Sequence, residues 1–322
     1  MKKEKTVFVT GATGRLGRVF VRLAKRKGWK VTALVRNLAK AKEVLPKGVE
    51  FVQGDLDVIA FDDVCRAVRG KSVVHIAGVV DFRANAERFF RINAAGTLKM
   101  VQAAERERVP RFVHASSTSI YHYVNRLPIT EEFDPSPANA YGKSKLEAER
   151  IVSRSHLDYV IIRPPAIYGP GFEEGFTQVM RWVKKGKMPV LGSGKNRIPL
   201  IHVDDVAQAL WLALENRKIH QEDFIVTSGE EYSQEESLDI LADALNAPRP
   251  TLHVSKPVAY ALVGFDAVNG LFTGKRKLLK THVDFLMEDR MFDISKAKRV
   301  LGFRPSVTLR KGIRQLVRNG AK

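Results

Sequence analysis

The sequence predicts an α/β fold, a doubly wound parallel sheet completed by a smaller, mostly helical C-terminal substrate region. Three observations carry that expectation. Through the first half of the chain, short apolar runs bounded by Gly, Asp or Pro alternate with longer segments of helical period, the pattern of strands joined by crossover helices. The runs are apolar at consecutive positions, as strands buried on both faces are. The first run leads directly into a glycine triplet, VTGATGRLG, at the carboxyl edge where such sheets bind ligands.

Taken in order, the expected strands are TVFVT (6–10), VTALV (31–35), VEFVQ (49–53), SVVHIA (72–77), RFVHAS (111–116) and YVIIR (159–163). Helices are expected between them near 15–27, 38–45, 61–69, 87–107 and 140–154, where apolar residues recur every three or four positions. From residue 164 the pattern loosens. Pro164, Pro165, Gly169, Pro170 and Gly171 form a loop, and helices follow near 173–186, 204–216, 234–246, 295–302 and 308–319. Only IPLI (198–201) and FIVT (224–227) resemble strands there. Residues 1–164 are therefore expected to form a dinucleotide-binding domain, with segments near 198–227 returning to it, and residues 165–322 a mainly substrate-binding region. No fixed-period repeat or long linker suggests further modules.

Composition narrows the class. A 322-residue chain that is 44% hydrophobic buries a large core. Its 54 Lys and Arg against 35 Asp and Glu give a net charge of +19, which keeps nucleic acid, a membrane surface and an anionic small molecule in view. The basic residues are spread along the whole chain, so a dedicated nucleic-acid stripe is not expected. One cysteine, Cys65, excludes an intrachain disulfide and a multi-thiolate zinc site. The eight histidines show no paired carboxylate spacing, and no metal is expected. MKKEK runs straight into the first strand without an apolar leader, and a soluble, cytoplasmic protein is expected. The stretch 257–272, PVAYALVGFDAVNGLF, followed by GKRKLLK (274–280), offers a greasy lip with a basic margin, suited to a lipophilic substrate or weak contact with an anionic membrane. A core-facing helix and a solvated turn is the alternative.

In VTGATGRLG, Gly11, Gly14 and Gly17 follow a strand and open a helix, with Thr13, Arg15 and Leu16 between them. Lack of a Cβ lets such a backbone turn tightly and approach a pyrophosphate, which the helix N-terminus then meets. The second strand ends at Arg36, where a cofactor with a free ribose 2′-hydroxyl favours a carboxylate. Arginine there suits a 2′-phosphate, so NADP is expected over NAD. Asp55 and Leu56 in GDLD, and Ala77 and Gly78 in HIAG, follow the third and fourth strands and are placed against the same cofactor.

The stretch ANAYGKSKLEAER puts Tyr141 and Lys145 at i and i+4 on one helix face. A phenol ordinarily titrates near pH 10, and an adjacent ammonium is expected to lower that value. Such a phenol donates a proton to an alkoxide formed by hydride attack, or accepts one when an alcohol is oxidised. Ser116 and Ser117 end the fifth strand, where a hydroxyl can hold the substrate oxygen. His75 and His114, inside apolar strands, are expected to be packed, Cys65 to be a small core residue, and His202 to orient its segment.

The series TGATGRLG, GDLD, HIAG, SSTSIY, YGKSK, RPPAIYGPG and IHVDDVA resembles the extended short-chain dehydrogenase/reductase family over nearly the whole chain. That resemblance implies a Rossmann-type domain and a bound nicotinamide cofactor. It makes Ser117 the catalytic serine and Tyr141 the acid/base; Lys145 tunes Tyr141 and holds the nicotinamide ribose. Asn93 matches the family's helix asparagine, and Arg163 with Pro164 the segment beside the nicotinamide. It also suggests a homodimer. The C-terminal third is similar to the 3β-hydroxysteroid dehydrogenase and dihydroflavonol 4-reductase branch. Dehydratases of the family follow the catalytic hydroxyl with an acidic pair, whereas this chain has Thr118 and Ser119. The expected activity is NADP-dependent hydride transfer between nicotinamide and a ketone or secondary alcohol of a small, lipophilic substrate. A nucleotide-sugar epimerase or reductase-epimerase is the alternative, and a cofactor-sensing or nucleic-acid-binding regulator the reading from another class.

Overall fold

A computed structural model describes residues 5–81, 84–122, 126–273 and 280–320. Seven strands form one parallel sheet: β1 (Thr6–Thr10), β2 (Lys30–Val35), β3 (Val49–Gln53), β4 (Ser72–His75), β5 (Phe112–Ala115), β6 (Tyr159–Arg163) and, far along the chain, Glu222–Ile225. The spatial order is β3-β2-β1-β4-β5-β6 followed by Glu222–Ile225. The order reverses between β1 and β4, and the crevice beyond their carboxyl ends is where ligands bind in such sheets.

Alternation along the strands builds a core on each face. Val7, Val9, Val74, Val113 and Ile162 face one side, where α1 (Arg15–Arg26) packs; Phe8, Val73, Phe112 and Ile161 face the other. There they meet α3 (Phe61–Val68) and α5 (Gly96–Arg106), which follow α2 (Leu38–Val44) and the one-turn α4 (Ala86–Phe89). Next comes α6 (Ala140–Ser153), capped by the Asn139 side chain on the Gly142 amide at 2.8 Å.

Beyond β6 lie β7 (Ala166–Tyr168), α7 (Glu173–Lys184), β8 (Val190–Leu191), β9 (Leu200–His202), α8 (Val203–Glu215), the sheet strand β10 (Glu222–Ile225), α9 (Gln234–Leu245), β11 (His253–Val254), α10 (Lys256–Thr273), α11 (Lys280–Met287) and α12 (Leu309–Gly320). Two of these return to the first unit: β10 extends the sheet beside β6, and α8 packs on α1, where Trp29 and Trp211 meet edge to face at 5.6 Å. A third core, with Tyr168, Met180, Leu238 and Leu316, joins α7, α9 and α12.

One expectation is corrected and two are sharpened. The strand near 198–201 is Leu200–His202, and it pairs with β7 in a small separate sheet. The helix near 295–302 is a five-residue π-turn, Ala297–Leu301, stopped by Gly302 at φ +74°. The apolar stretch 257–272 is helical within α10, and α11 follows it. Of its basic margin, residues 274–279 lie outside the described residues.

Candidate functional site

The nucleotide end is built by glycine. Gly11 sits at φ +69°, and a Cβ there would lie 2.7 Å from the Ala77 amide nitrogen, so the β1–α1 turn presses against the end of β4. A Cβ on Gly17 would lie 2.1 Å from the Gly11 carbonyl, which only glycine allows. Gly14 caps α1 without any side-chain hydrogen bond, so no side chain takes the place of a ligand at this helix start. A glycine cradle and a helix start without a side-chain cap fit a dinucleotide's pyrophosphate. Thr13 and Arg15 are half-buried and Leu16 is buried. The Arg15 guanidinium lies 5.6 Å from the centre of the Phe172 ring.

At the end of β2, Arg36 points outward, its side chain 76% exposed and its Nη1 3.7 Å from Asp55 Oδ2. Asp55 also accepts the Asp57 amide at 3.2 Å, and Leu56 is buried beneath it. Thr10 Oγ1 accepts the Ala77 amide at 3.1 Å and pairs with His75 Nδ1 at 2.7 Å, which fixes the ends of β1 and β4 together.

The reactive end is built by α6 closing on the turn after β5. A Cβ on Gly142 would lie 2.3 Å from the Ser119 carbonyl oxygen. That close approach carries the neighbouring Tyr141 to Ser117, whose hydroxyl hydrogen-bonds the phenol. Ser117 Oγ also donates to Ser119 Oγ at 3.0 Å and accepts the Ser119 amide at 3.1 Å. Lys145, one turn further on, donates from Nζ to the Ala115 carbonyl at 2.5 Å. All three side chains are buried, and Tyr141 packs on the Phe89 ring at 5.8 Å.

Burial sets the protonation states. It pushes the Tyr141 phenol above its ordinary value, with the Ser117 hydrogen bond opposing. It pulls the Lys145 ammonium down to about 8, with Glu149 opposing. The expected depression of the phenol by Lys145 is therefore corrected: the ammonium is spent on a backbone carbonyl, and desolvation dominates. His75 is pulled down to about 3 and His114 well below its usual value, by burial first and by the Lys145 charge second. The two rings stack at 5.5 Å, packed as expected.

The model of the NAD dependent epimerase/dehydratase family matches residues 7–227. The chain belongs to the NAD dependent epimerase/dehydratase family. Among relatives of this family, a UDP-glucose 4-epimerase from Vibrio cholerae is 30% identical over 98% of this chain and 95% of its own length. A 3 beta-hydroxysteroid dehydrogenase/Delta 5-->4-isomerase from Mycobacterium tuberculosis is 28% identical, covering 95% of this chain and 88% of that protein. The crystal structure of a UDP-glucuronic acid 4-epimerase from Bacillus cereus in complex with NAD superposes with a TM-score of 0.78 at 18% identity, over 98% of each chain.

Two residues expected at the cofactor of this epimerase/dehydratase-family site are committed elsewhere. The Arg163 guanidinium bonds Glu149 at 2.7–3.1 Å and the Tyr121 hydroxyl at 2.7 Å, and pairs with Asp223. Burial alone would lower its affinity for a proton, but Glu149 and Asp223 outweigh burial and raise it. The side chain is buried between Glu149 of α6 and Asp223 of β10, and next to it the Pro164 carbonyl accepts the Thr118 amide at 3.0 Å. Asn93 sits in a π-turn, Phe90–Ala95, and its amide is a bracket: Oδ1 accepts the Val79 amide at 2.7 Å while Nδ2 donates to the Val79 carbonyl at 3.1 Å and Ser144 Oγ at 3.0 Å. It thereby joins the Gly78–Val79 turn to α6.

Sequence reasoning missed Gly142, Ser144 and Thr10. Only Gly142 left a signal, since glycine inside a helix costs about 1 kcal/mol and needs a reason. His202 caps α8 through Nδ1, which accepts the Asp204 amide at 3.3 Å, as its orienting role anticipated. Cys65 is buried with its thiol pushed up by desolvation, a core residue. No cluster of metal-binding type occurs among the described residues. A cavity of about 240 Å³ opens elsewhere, lined in part by Arg197, Tyr232, Arg290 and Phe292, and neither Ser117 nor Tyr141 lines it.

Proposed function

We propose that the chain is an NADP-dependent oxidoreductase acting on a ketone or secondary alcohol through Ser117, Tyr141 and Lys145. The observation that carries this reading is the buried Ser117–Tyr141 hydroxyl pair beside the crevice, with the phenol kept protonated by its surroundings. Hydride is what the bound nicotinamide supplies, and the chain's own residues manage the proton. In the reductive direction Ser117 holds the carbonyl oxygen and Tyr141 donates to it as negative charge develops there. Lys145, anchored on the Ala115 carbonyl, places a positive charge near the site, and the tyrosinate left after the donation regains its proton from solvent.

Arg36 supports NADP: it stands exposed at the end of β2 with only a long contact to Asp55. Similarity to the steroid dehydrogenase supports a lipophilic ketone. The nucleotide-sugar epimerase reading is supported by the Vibrio cholerae relative. Soluble action in the cytoplasm, as a homodimer without nucleic acid, completes the proposal; no helix among the described residues is long and apolar enough to cross a membrane.

Tyr141→Phe tests the reading. Turnover of NADPH with a panel of steroid, flavonoid and UDP-sugar ketones should fall by about 10²–10⁴-fold, while the Kd for NADPH stays within about twofold. Retained turnover overturns the assignment of Tyr141. Activity confined to interconversion of UDP-sugars, with no net NADPH oxidation, overturns the oxidoreductase reading in favour of the epimerase.

A further inference from the structure

A lysine on a helix surface ordinarily ends in water. Lys99 of α5 instead turns its Nζ onto three backbone carbonyls, those of Leu56, Asp57 and Ile59, at 3.0, 3.2 and 3.0 Å. An ammonium has three N–H donors and no acceptor, so the turn after β3 engages its whole donor set. The amides of that turn are held by Asp55, whose carbonyl accepts Val58 at 3.0 Å and Ile59 at 2.7 Å while Oδ1 accepts Asp57 at 3.2 Å. Two glycines bring the parts together. A Cβ on Gly96 of α5 would lie 2.9 Å from Leu56 Cδ2, and one on Gly54 would lie 2.6 Å from Ile59 Cδ1. The Gly54 amide also donates to the Val35 carbonyl at 3.0 Å, which ties the turn to the end of β2 beside Arg36.

We propose that Lys99 is a positioning residue for the adenosine half of the dinucleotide. β3 lies beside β2 on the side away from β1, so a cofactor whose pyrophosphate sits at the β1–α1 turn extends its adenosine toward this edge. Asp55 and Leu56 are what the edge offers it. The Lys99 donors are all engaged, so the residue acts through the turn and not by contact with the nucleotide. One cation draws three carbonyls into a single arrangement, and hydrogen bonds to a charged group are stronger than neutral ones. Without the ammonium the carbonyls turn to solvent, the turn relaxes, and cofactor binding must bear the cost of reordering it. The proposal rests on the dinucleotide reading of the crevice and depends neither on the reaction nor on the choice of NADP.

Calorimetry with ADP, which carries the adenosine half alone, tests this directly. In the full chain, Lys99→Met should weaken ADP and NADPH binding by at least about tenfold, while kcat at saturating NADPH stays within about twofold. Should that variant fail to fold, Lys99→Gln, whose amide keeps two N–H donors, should show a smaller loss of the same kind. Lys99→Cys supplies a rescue: alkylation with 2-bromoethylamine restores an ammonium of nearly the same reach, Cys65 being buried, and ADP affinity should return. A folded Lys99→Met or Lys99→Gln protein with unchanged ADP affinity overturns the proposal. So does a fall in kcat as large as the loss of affinity, which would make Lys99 a general structural support, and so does an alkylated variant that stays weak. A wild-type chain that does not bind ADP overturns it together with the cofactor reading. If the wild type binds ADP but oxidises no NADPH, the oxidoreductase reading falls while the ratio of ADP affinities still decides Lys99.

Discussion

Arg36 and Arg163 stand at comparable places, the carboxyl ends of two parallel strands, and both carry the same group toward the same edge of the sheet. Their surroundings differ in kind. Arg36 is mostly in water, with a carboxylate at 3.7 Å; Arg163 is 9% exposed and holds Glu149, Asp223 and Tyr121. Position along a strand fixes the height of a side chain but says nothing of what awaits it on that face. At β2 the outward side opens on solvent, where a guanidinium remains available to a ligand. At β6 the side chain turns under α6, where a buried carboxylate demands it. The same residue type is a proposed binding group in one place and a structural tie in the other.

Removing the tie is the largest effect expected. Arg163→Met leaves the Glu149 carboxylate, itself buried, without its bidentate partner and strips Asp223 of its cation. Breaking one side of a buried pair costs about 3–5 kcal/mol, which denaturant unfolding would read. The Kd for NADPH of the remaining folded protein should stay within about twofold. A stable Arg163→Met protein with weakened cofactor binding would reverse the assignment and make the two arginines equivalent.

The comparison also marks how far sequence reasoning reaches. Gly11 and Gly17 were legible because the motif is contiguous, strand then tight turn then helix; the steric demand on Gly17 lies six residues back at Gly11, although the demand on Gly11 also comes from Ala77, a tertiary contact. Tyr141 and Lys145 were legible because helical geometry alone puts them on one face. Arg163 was not, since Glu149 arrives from α6 and Asp223 from a strand sixty residues later. The direction of the Tyr141 shift was missed for a related reason. Helical spacing brings Lys145 near, but the acceptor that captures its ammonium, Ala115, is on β5, and burial of the phenol is a tertiary event. For α10 the apolar stretch was legible but its inward side was not: the sequence is apolar nearly all round, and it is the contact of Tyr260 with α11 that shows it.

A smaller effect sharpens the buried side of the comparison. His75 and His114 lie fully buried and neutral, with folded values below their ordinary one, His75 at about 3. As pH falls below about 6.5 the unfolded chain takes up protons that the folded chain refuses, so stability is complete above that value and is lost on acidification. Each histidine contributes a slope of up to about 1.4 kcal/mol per pH unit. Urea unfolding between pH 7 and 5 should show this decline, and His114→Phe should lessen it by one histidine's share. An unchanged slope in that variant would mean that His114 gains its proton inside the fold and that the interior behind Lys145 is wetter than its packing implies.

The smallest effect expected is at the open arginine. Arg36→Asp replaces an exposed cation by an anion next to Asp55, so two carboxylates face the place where a 2′-phosphate would lie, and a free ribose hydroxyl gains an acceptor. Little stability should be lost, because a surface pair at 3.7 Å contributes about 0–1 kcal/mol. The ratio of kcat/KM for NADPH over NADH should fall by at least about tenfold, roughly 1.4 kcal/mol of differential binding, and raised salt should shrink the wild-type preference as it screens an exposed charge. If the ratio holds while stability falls, Arg36 is a second Arg163, a tie whose partner merely happens to lie at the surface. If the ratio inverts and stability holds, the two ends of the sheet differ as their surroundings dictate, because solvent leaves one guanidinium free to choose a cofactor while buried carboxylates have already claimed the other.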